Sequence, residues 1–175
     1  MQGGLNTGKT VIDTCEIRAQ LPETAVTNPY CHNDPGLVTR TSGLVAYTLP
    51  KIDVLVSGTF RSDPGLVLAA NYAVPSALVA QSLGRPVAGN VANVTVNLLA
   101  PGDVWGDRVN ELDLRVAKIL RFGRTRTNVG LDLYNVLNSS AVLNSNQTFI
   151  PNGSWLRPTL VLTSRFAKIS ATIDF

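Results

Sequence analysis

The sequence predicts an all-β protein whose antiparallel strands cross a membrane as part of a barrel wall, with long loops on one side. Three observations carry that expectation. Several segments alternate apolar and polar residues with period two over about 10 residues, the length of a tilted membrane-crossing strand. The connections between them run short, long, short, long. Charged residues are only 15% of the 175 positions, against roughly a quarter in an ordinary soluble domain, so part of the surface is expected to face something other than water.

Residues 1–37 read as an extracellular loop, punctuated by Pro22, Asn28-Pro29 and Asn33-Asp34-Pro35-Gly36. Residues 38–61 read as a hairpin. In its first strand Val45, Tyr47 and Leu49 alternate with Leu44, Ala46 and Thr48, and Leu49-Pro50-Lys51 is a tight turn. From Lys51 to Arg61, Ile52, Val54, Val56, Gly58 and Phe60 share one face, opposite Lys51, Asp53, Leu55, Ser57, Thr59 and Arg61. Residues 62–109 read as a long extracellular loop. It holds two weak strand-like pieces, Leu66–Tyr72 and Val91–Leu99, and one short helix candidate, Ser76–Leu83.

Residues 110–137 read as a second hairpin. Leu112, Leu114, Val116 and Leu120 share a face broken only by Lys118, and Glu111, Asp113 and Arg115 share the other. After the turn Arg121-Phe122-Gly123-Arg124, Val129, Leu131, Leu133 and Leu137 alternate with Arg126, Asn128, Asp132 and Tyr134. Residues 138–158, rich in Asn, Ser, Gly and Pro, read as an extracellular loop. Residues 159–175 read as the terminal strand, with Ala167, Ile169, Ala171, Ile173 and Phe175 opposite Lys168, Ser170, Thr172 and Asp174. With Phe175 on the periplasmic side, every short turn falls in the periplasm and every long loop outside, as in outer-membrane barrels. The apolar rows, Ile52, Val54, Val56, Leu112, Leu114, Leu131, Leu133 and Ile169 among them, are expected to face lipid. Asp53, Asp113, Arg115, Arg126, Asp132 and Lys168 are expected to face a wet lumen, where the carboxylates pair with Arg115 or Arg126 and where Asp132 tolerates Asn.

Other classes are excluded. No run of about 18 apolar residues exists to make a spanning helix. The net charge is +3, from eleven Arg and four Lys against twelve acids. The cations do not gather with aromatics, so no nucleic-acid partner is expected. The first ten residues hold no apolar stretch of the kind a secretory signal needs.

The segment Asn110-Glu-Leu-Asp-Leu-Arg-Val-Ala-Lys-Ile-Leu-Arg-Phe-Gly-Arg124, the run Leu131-Asp-Leu-Tyr-Asn-Val-Leu-Asn138 and a last strand ending in Phe175 together resemble the end of a TonB-dependent outer-membrane receptor barrel. The nearest subgroup has an N-terminal carboxypeptidase-regulatory-like domain. Tyr47-Thr-Leu-Pro-Lys-Ile-Asp-Val-Leu-Val-Ser-Gly-Thr-Phe60 resembles late strands of the same family. The resemblance covers most of 39–175. It implies that Ile173 and Phe175 form the terminal signal read by the barrel-assembly machinery. The family's plug domain and TonB-contacting box have no counterpart here. Plugged transporters close with 22 strands, and the five strands counted here cannot close. The expectation is therefore the C-terminal piece of a longer protein, reaching TonB only through an N-terminal region outside this sequence.

Gly3-Gly-Leu-Asn-Thr-Gly-Lys-Thr10 matches the phosphate-binding loop pattern in letters. It lacks a preceding buried strand and a following helical face, and reads instead as a Gly-rich loop leaving an upstream strand. Cys15 and Cys31 enclose loop-like sequence on the outer side, where disulfides persist, and are expected to be bonded. His32, the single histidine, stands next to Cys31 without a fourth ligand for a metal and without a nucleophile to serve. Asp113 and Asp132 could suggest paired-carboxylate chemistry, but charge pairing across the lumen is favoured. No catalytic, cofactor or metal site is expected. The four Asn-x-Ser/Thr sites reflect loop composition.

The family resemblance implies import of a large scarce nutrient (siderophore, cobalamin, oligosaccharide or peptide) across the outer membrane of a Gram-negative-type bacterium. The alternatives are a structural or adhesive outer-membrane β-protein and a secreted soluble β-sandwich.

Overall fold

The computed structural model describes residues 1–21, 29–151 and 153–174. The strands in chain order are β1 (Gln2–Gly8), β2 (Ile12–Asp13), β3 (His32–Asn33), β4 (Val38–Leu49), β5 (Val54–Asp63), β6 (Asn71–Pro75), β7 (Asn93–Asn97), β8 (Val109–Phe122), β9 (Thr125–Tyr134), β10 (Val142–Ser145), β11 (Pro158–Val161) and β12 (Phe166–Asp174). Two short helices, α1 (Cys15–Gln20) and α2 (Ser76–Leu83), lie in the connections. The protein is mostly β-strand, with antiparallel sheets and few helices.

Six strands form one antiparallel sheet in the order β1-β4-β5-β8-β9-β12. Because neighbours alternate direction, 50–53 and 123–124 lie at one end and the described residues of 9–21, 29–37, 64–108, 135–151 and 153–165 at the other. The sheet is not closed: β1 and β12 each pair on one side only. Gly123 (φ 61) opens the two-residue turn between β8 and β9, supplying the positive φ such a hairpin asks of its first loop residue.

Register fixes the faces. Tyr47, Val56, Val116, Leu131 and Ile169 stand in one row across five strands. Leu112, Leu114, Val54, Leu133 and Ile173 share that face. Nothing among the described residues covers it: Ile169 is 79% exposed and Val116 49%. The opposite face carries Arg115, Asp132 and Lys168 in one row, with Asp113 and Arg126 in others. Buried residues of the sheet lie there, Ala117 at 1% and Ile119 at 4%.

Several boundaries differ from expectation. Gln2–Gly8 is a strand on β4, so 1–37 is not all loop and the main sheet has six strands rather than five. Ile52 and Asp53 lie in the turn between β4 and β5, not on opposite faces of a strand. Asp53 takes φ 48, and its carbonyl accepts from the Ile119 amide, so the turn needs four residues instead of the expected Leu49–Lys51. Leu66–Tyr72 is a strand only from Asn71, because 66–68 bond to 104–106 in isolation. Leu137 lies beyond β9, which stops at Tyr134 where Asn135 takes φ 48. Leu160 belongs to β11, paired with β10 inside the third loop, so the last strand starts at Phe166 rather than 159. Phe175, expected to carry the assembly signal, lies outside the described residues.

Candidate functional site

The chemistry available to this chain lies on the polar face of the sheet and in the long loops above it. On the polar face, Arg115 Nη1 donates to Asp132 Oδ1 at 2.7 Å, and Ser170 Oγ donates to Asp132 Oδ2 at 3.2 Å. The three residues sit on β8, β9 and β12, so one carboxylate ties three strands. Gly130 makes the arrangement possible, because a Cβ there would stand 3.0 Å from Arg115 Nη2. Asp113 does not pair with Arg115 or Arg126. It accepts the Asn135 backbone N–H at 2.8 Å. The two carboxylates are thus each engaged in structural bonds with separate partners.

Asn135 was not singled out from the sequence as a functional residue, although it lies in the segment that resembles the receptor family. Its side chain is 1% exposed. Nδ2 donates to the carbonyls of Ser139 and Thr163, and Oδ1 accepts the Ser139 amide. Both ends of the third loop are thereby fastened to the top of β9. Asn138 adds a bond from Arg165 N to its Oδ1. The only sequence signal is two Asn residues bracketing the end of an apolar alternation, the residue type that tolerates positive φ.

The three loops pack on one another. Arg108 donates to Ser62 Oγ at 2.7 Å and to Thr39 O at 2.6 Å, joining the second loop to β4 and β5. Tyr30 Oη donates to Leu98 O, linking the first loop to the second. Trp155 Nε1 donates to Ala69 O, and Asn71 and Thr148 form a bridge, linking the third to the second. Tyr72, Phe149 and Trp155 stack edge to face within this cap. Val109 on the polar side of β8 is covered by Ala141 and Leu162. A hollow of about 390 Å³ opens beside Trp105, lined by Asn6, Lys9 and Arg40 among others.

Cys15 and Cys31 are bonded to each other, with Cα atoms 4.8 Å apart, so neither is a thiolate free to hold a metal. Asp13 braces the bridge: its carboxylate accepts the Cys15 N–H at 3.0 Å and meets His32 Nδ1 at 3.1 Å. The Cys15 amide, and then His32, hold the Asp13 carboxyl below its ordinary value. Lys9 sits on Asp34 at 2.7 Å. That ion pair, and then the Gly36 amide, lower the Asp34 carboxyl. The glycines of the Gly3–Thr10 segment lie in β1, an extended strand, so their N–H groups do not cradle a phosphate. The Gly-rich loop reading of that segment is corrected accordingly. Among the described residues, no three of His, Cys, Asp and Glu gather as a metal site.

Lys118, the one cation in the apolar rows, donates its Nζ to the carbonyl of Ile52 in the β4–β5 turn. Its charge is thus carried toward the end of the sheet. Of the other sequence-marked residues, Arg126 stands across β9–β12 from Asp174, and Lys168 lies opposite Asp132. No protein-family model, curated protein or solved structure matches this chain.

Proposed function

We propose that this chain is wall and outer loops of an outer-membrane receptor that imports a large scarce nutrient with energy drawn through TonB. One observation carries the membrane part of the reading: a six-strand sheet leaves its apolar face without a covering layer among the described residues, while Ala117, Ile119 and Asp132 are buried on the polar face. A soluble sandwich would reverse that, packing the apolar face under a second sheet. In the proposed setting lipid covers Val56, Val116, Leu131 and Ile169, and Arg115, Asp132 and Lys168 line the interior. The open edges β1 and β12 continue into further strands, since unpaired backbone groups cannot face hydrocarbon. The three loops, the first braced by the disulfide, form the outer mouth, and a nutrient meets the cap and the hollow beside Trp105. The import role rests on the resemblance of 110–138 to TonB-dependent receptors.

Spin labels test the membrane part. The native cysteines are bonded, so a single added Cys can be labelled at Val116, Leu131 or Ile169, or at Thr59, Lys168 or Thr172. With the chain in detergent micelles, the first three labels should meet dissolved oxygen and be shielded from a polar nickel chelate. The second three should show the reverse. Equal access of the chelate to both sets ends the reading. The transport part predicts that uptake of one among labelled ferric siderophores, cobalamin and oligosaccharides is lost both with the gene and with TonB. Uptake lost with the gene but independent of TonB refutes it.

A further inference from the structure

The side-chain charge of this chain is not spread over the molecule. Lys51, Lys118, Arg121, Arg124 and Arg126 all lie at the end of the sheet that carries the two short turns, against Asp53 and Asp174. That end accounts for the entire net charge of +3; elsewhere in the sequence ten cations meet ten carboxylates. The residues cluster at one end of the sheet, Arg121 and Arg126 on its polar face and Lys118 on its apolar one. Arg121 reaches Asp53 at 3.1 Å, Lys118 bonds to Ile52 O, and Arg121 stands opposite Arg126 two residues from the turn. Lys51, Arg124 and Arg126 are exposed and have solvent-facing side chains. Two large apolar side chains stand among them, Phe122 at 64% exposed and Ile52 at 53%. Phe122 continues the uncovered apolar face by one row past Leu120.

We propose that this turn end docks on the anionic headgroups of a phospholipid leaflet. Phe122 and Ile52 enter at the boundary of the acyl chains, Lys51 and Arg124 in the turns meet lipid phosphates, and Arg121 and Arg126, on the polar face, add to the positive field at this end. The inference deepens the membrane reading above and rests on it. Charge complementarity selects this occupant: the patch joins an apolar rim to a cationic surface, the pairing that anionic lipid interfaces attract. Lys118 fits the same arrangement, its long stem lying over the apolar face while the ammonium reaches the rim.

The test dilutes the full chain from urea into phosphatidylcholine vesicles or into vesicles of equal parts phosphatidylcholine and phosphatidylglycerol, and measures bound protein by flotation. Binding to the mixed vesicles should exceed binding to the neutral ones at low salt by more than about tenfold, and the excess should collapse at high salt. Lys51→Gln, Arg124→Gln and Arg126→Gln together should bring mixed-vesicle binding down close to the neutral-vesicle level while leaving neutral-vesicle binding in place. The loop-end change Arg157→Gln should leave the excess intact. If the triple variant binds neither vesicle, the salt dependence of the unaltered chain decides alone. Equal binding of the unaltered chain to both vesicles overturns the proposal, leaves the membrane reading standing and reserves the patch for a protein partner. Failure to bind either vesicle overturns the membrane reading, and the proposal with it.

Discussion

Arg115 and Asp132 stand directly opposite each other on β8 and β9, 2.7 Å apart, with the Asp132 side chain 8% exposed and that of Arg115 31%. The sequence alone suggested that Asp132 would tolerate Asn. The geometry says otherwise. Asp132 uses both oxygens as acceptors, from Arg115 and from Ser170. An Asn presents one amide NH₂ to a donor and leaves a cation short of its partner. Asp132→Asn should cost about 1–3 kcal/mol of stability in detergent micelles. Gly130→Ala should push the guanidinium aside and cost about 1–2 kcal/mol. In the Asp132→Asn background the Gly130 change should cost less, because the two act through one side chain. Additive losses in a double-mutant cycle refute the coupling.

The uncovered row gives a second prediction. Leu131 lies mid-row between Val116 and Ile169 and is 44% exposed. In lipid, Leu131→Arg should cost roughly 2–4 kcal/mol. The same change at an exposed site in water costs within about 0.5 kcal/mol. Urea titration of the protein in detergent micelles separates the two.

How much of this was legible in the sequence follows from which interactions are local. The shared face of Val56, Val116, Leu131 and Ile169 was readable because alternation along a strand is backbone geometry, and the antiparallel neighbours keep it in register. Strand β1 was not readable. Its seven residues hold one large apolar side chain, Leu5, and it is a strand because the edge of β4 offers seven partners. The turn at Ile52 and Asp53 was misplaced because apolar alternation runs on past the last paired residue, Val54. Asn135 could not be read at all as an anchor, since its partner Thr163 lies 28 residues away.

Asn135 therefore supplies a third prediction. Asn135→Ala removes three side-chain hydrogen bonds from a fully buried site and places a Cβ residue without that support at φ 48. The expected loss is about 2–4 kcal/mol. Asn135→Gly relieves the backbone but restores no bond, so it should recover only a part of that loss. In both variants protease cleavage should appear within 136–165 while β8 and β9 stay protected. Cleavage spread evenly over the chain would deny Asn135 its local role.

The first loop has its own fastening. Thiol labelling of the denatured, unreduced protein should find no free cysteine, and Cys15→Ser with Cys31→Ser should release roughly 3 kcal/mol of chain entropy to the unfolded loop. Acid should weaken the same region. The Asp13 carboxyl is held below its ordinary value of 3.8 chiefly by the Cys15 amide. A depressed carboxyl stabilises the fold above its unfolded value, and that contribution disappears as pH falls through the folded one. Protection of the Cys15 amide against hydrogen exchange, corrected for intrinsic rate, should therefore drop as pH falls below 3.8 in the native protein. In Asp13→Asn it should be low throughout and flat with pH. A pH-dependent loss that persists in the variant would assign the effect to another group.

The last prediction concerns the chain alone in water. Its sheet exposes Val56, Val116, Leu131, Ile169 and Ile173 on one face, and no second layer covers them among the described residues. Each square ångström of such surface costs about 25 cal/mol when left wet. The apolar residues that are buried, such as Val109, Ala141 and Leu162, lie in the cap and do not relieve that face. The edges of β1 and β12 add two rows of unpaired backbone groups, and exposed strand edges pair with any strand they meet. Association therefore satisfies both defects at once, by stacking apolar faces and by joining edges. In detergent-free buffer the chain should elute from size exclusion as a broad high-mass species and show no cooperative melt. Adding detergent micelles should sharpen the peak by covering the face, while leaving residual association through the edges. A monodisperse monomer that melts cooperatively without detergent would show that the six strands bury their apolar face by themselves, and the barrel-wall reading would be abandoned.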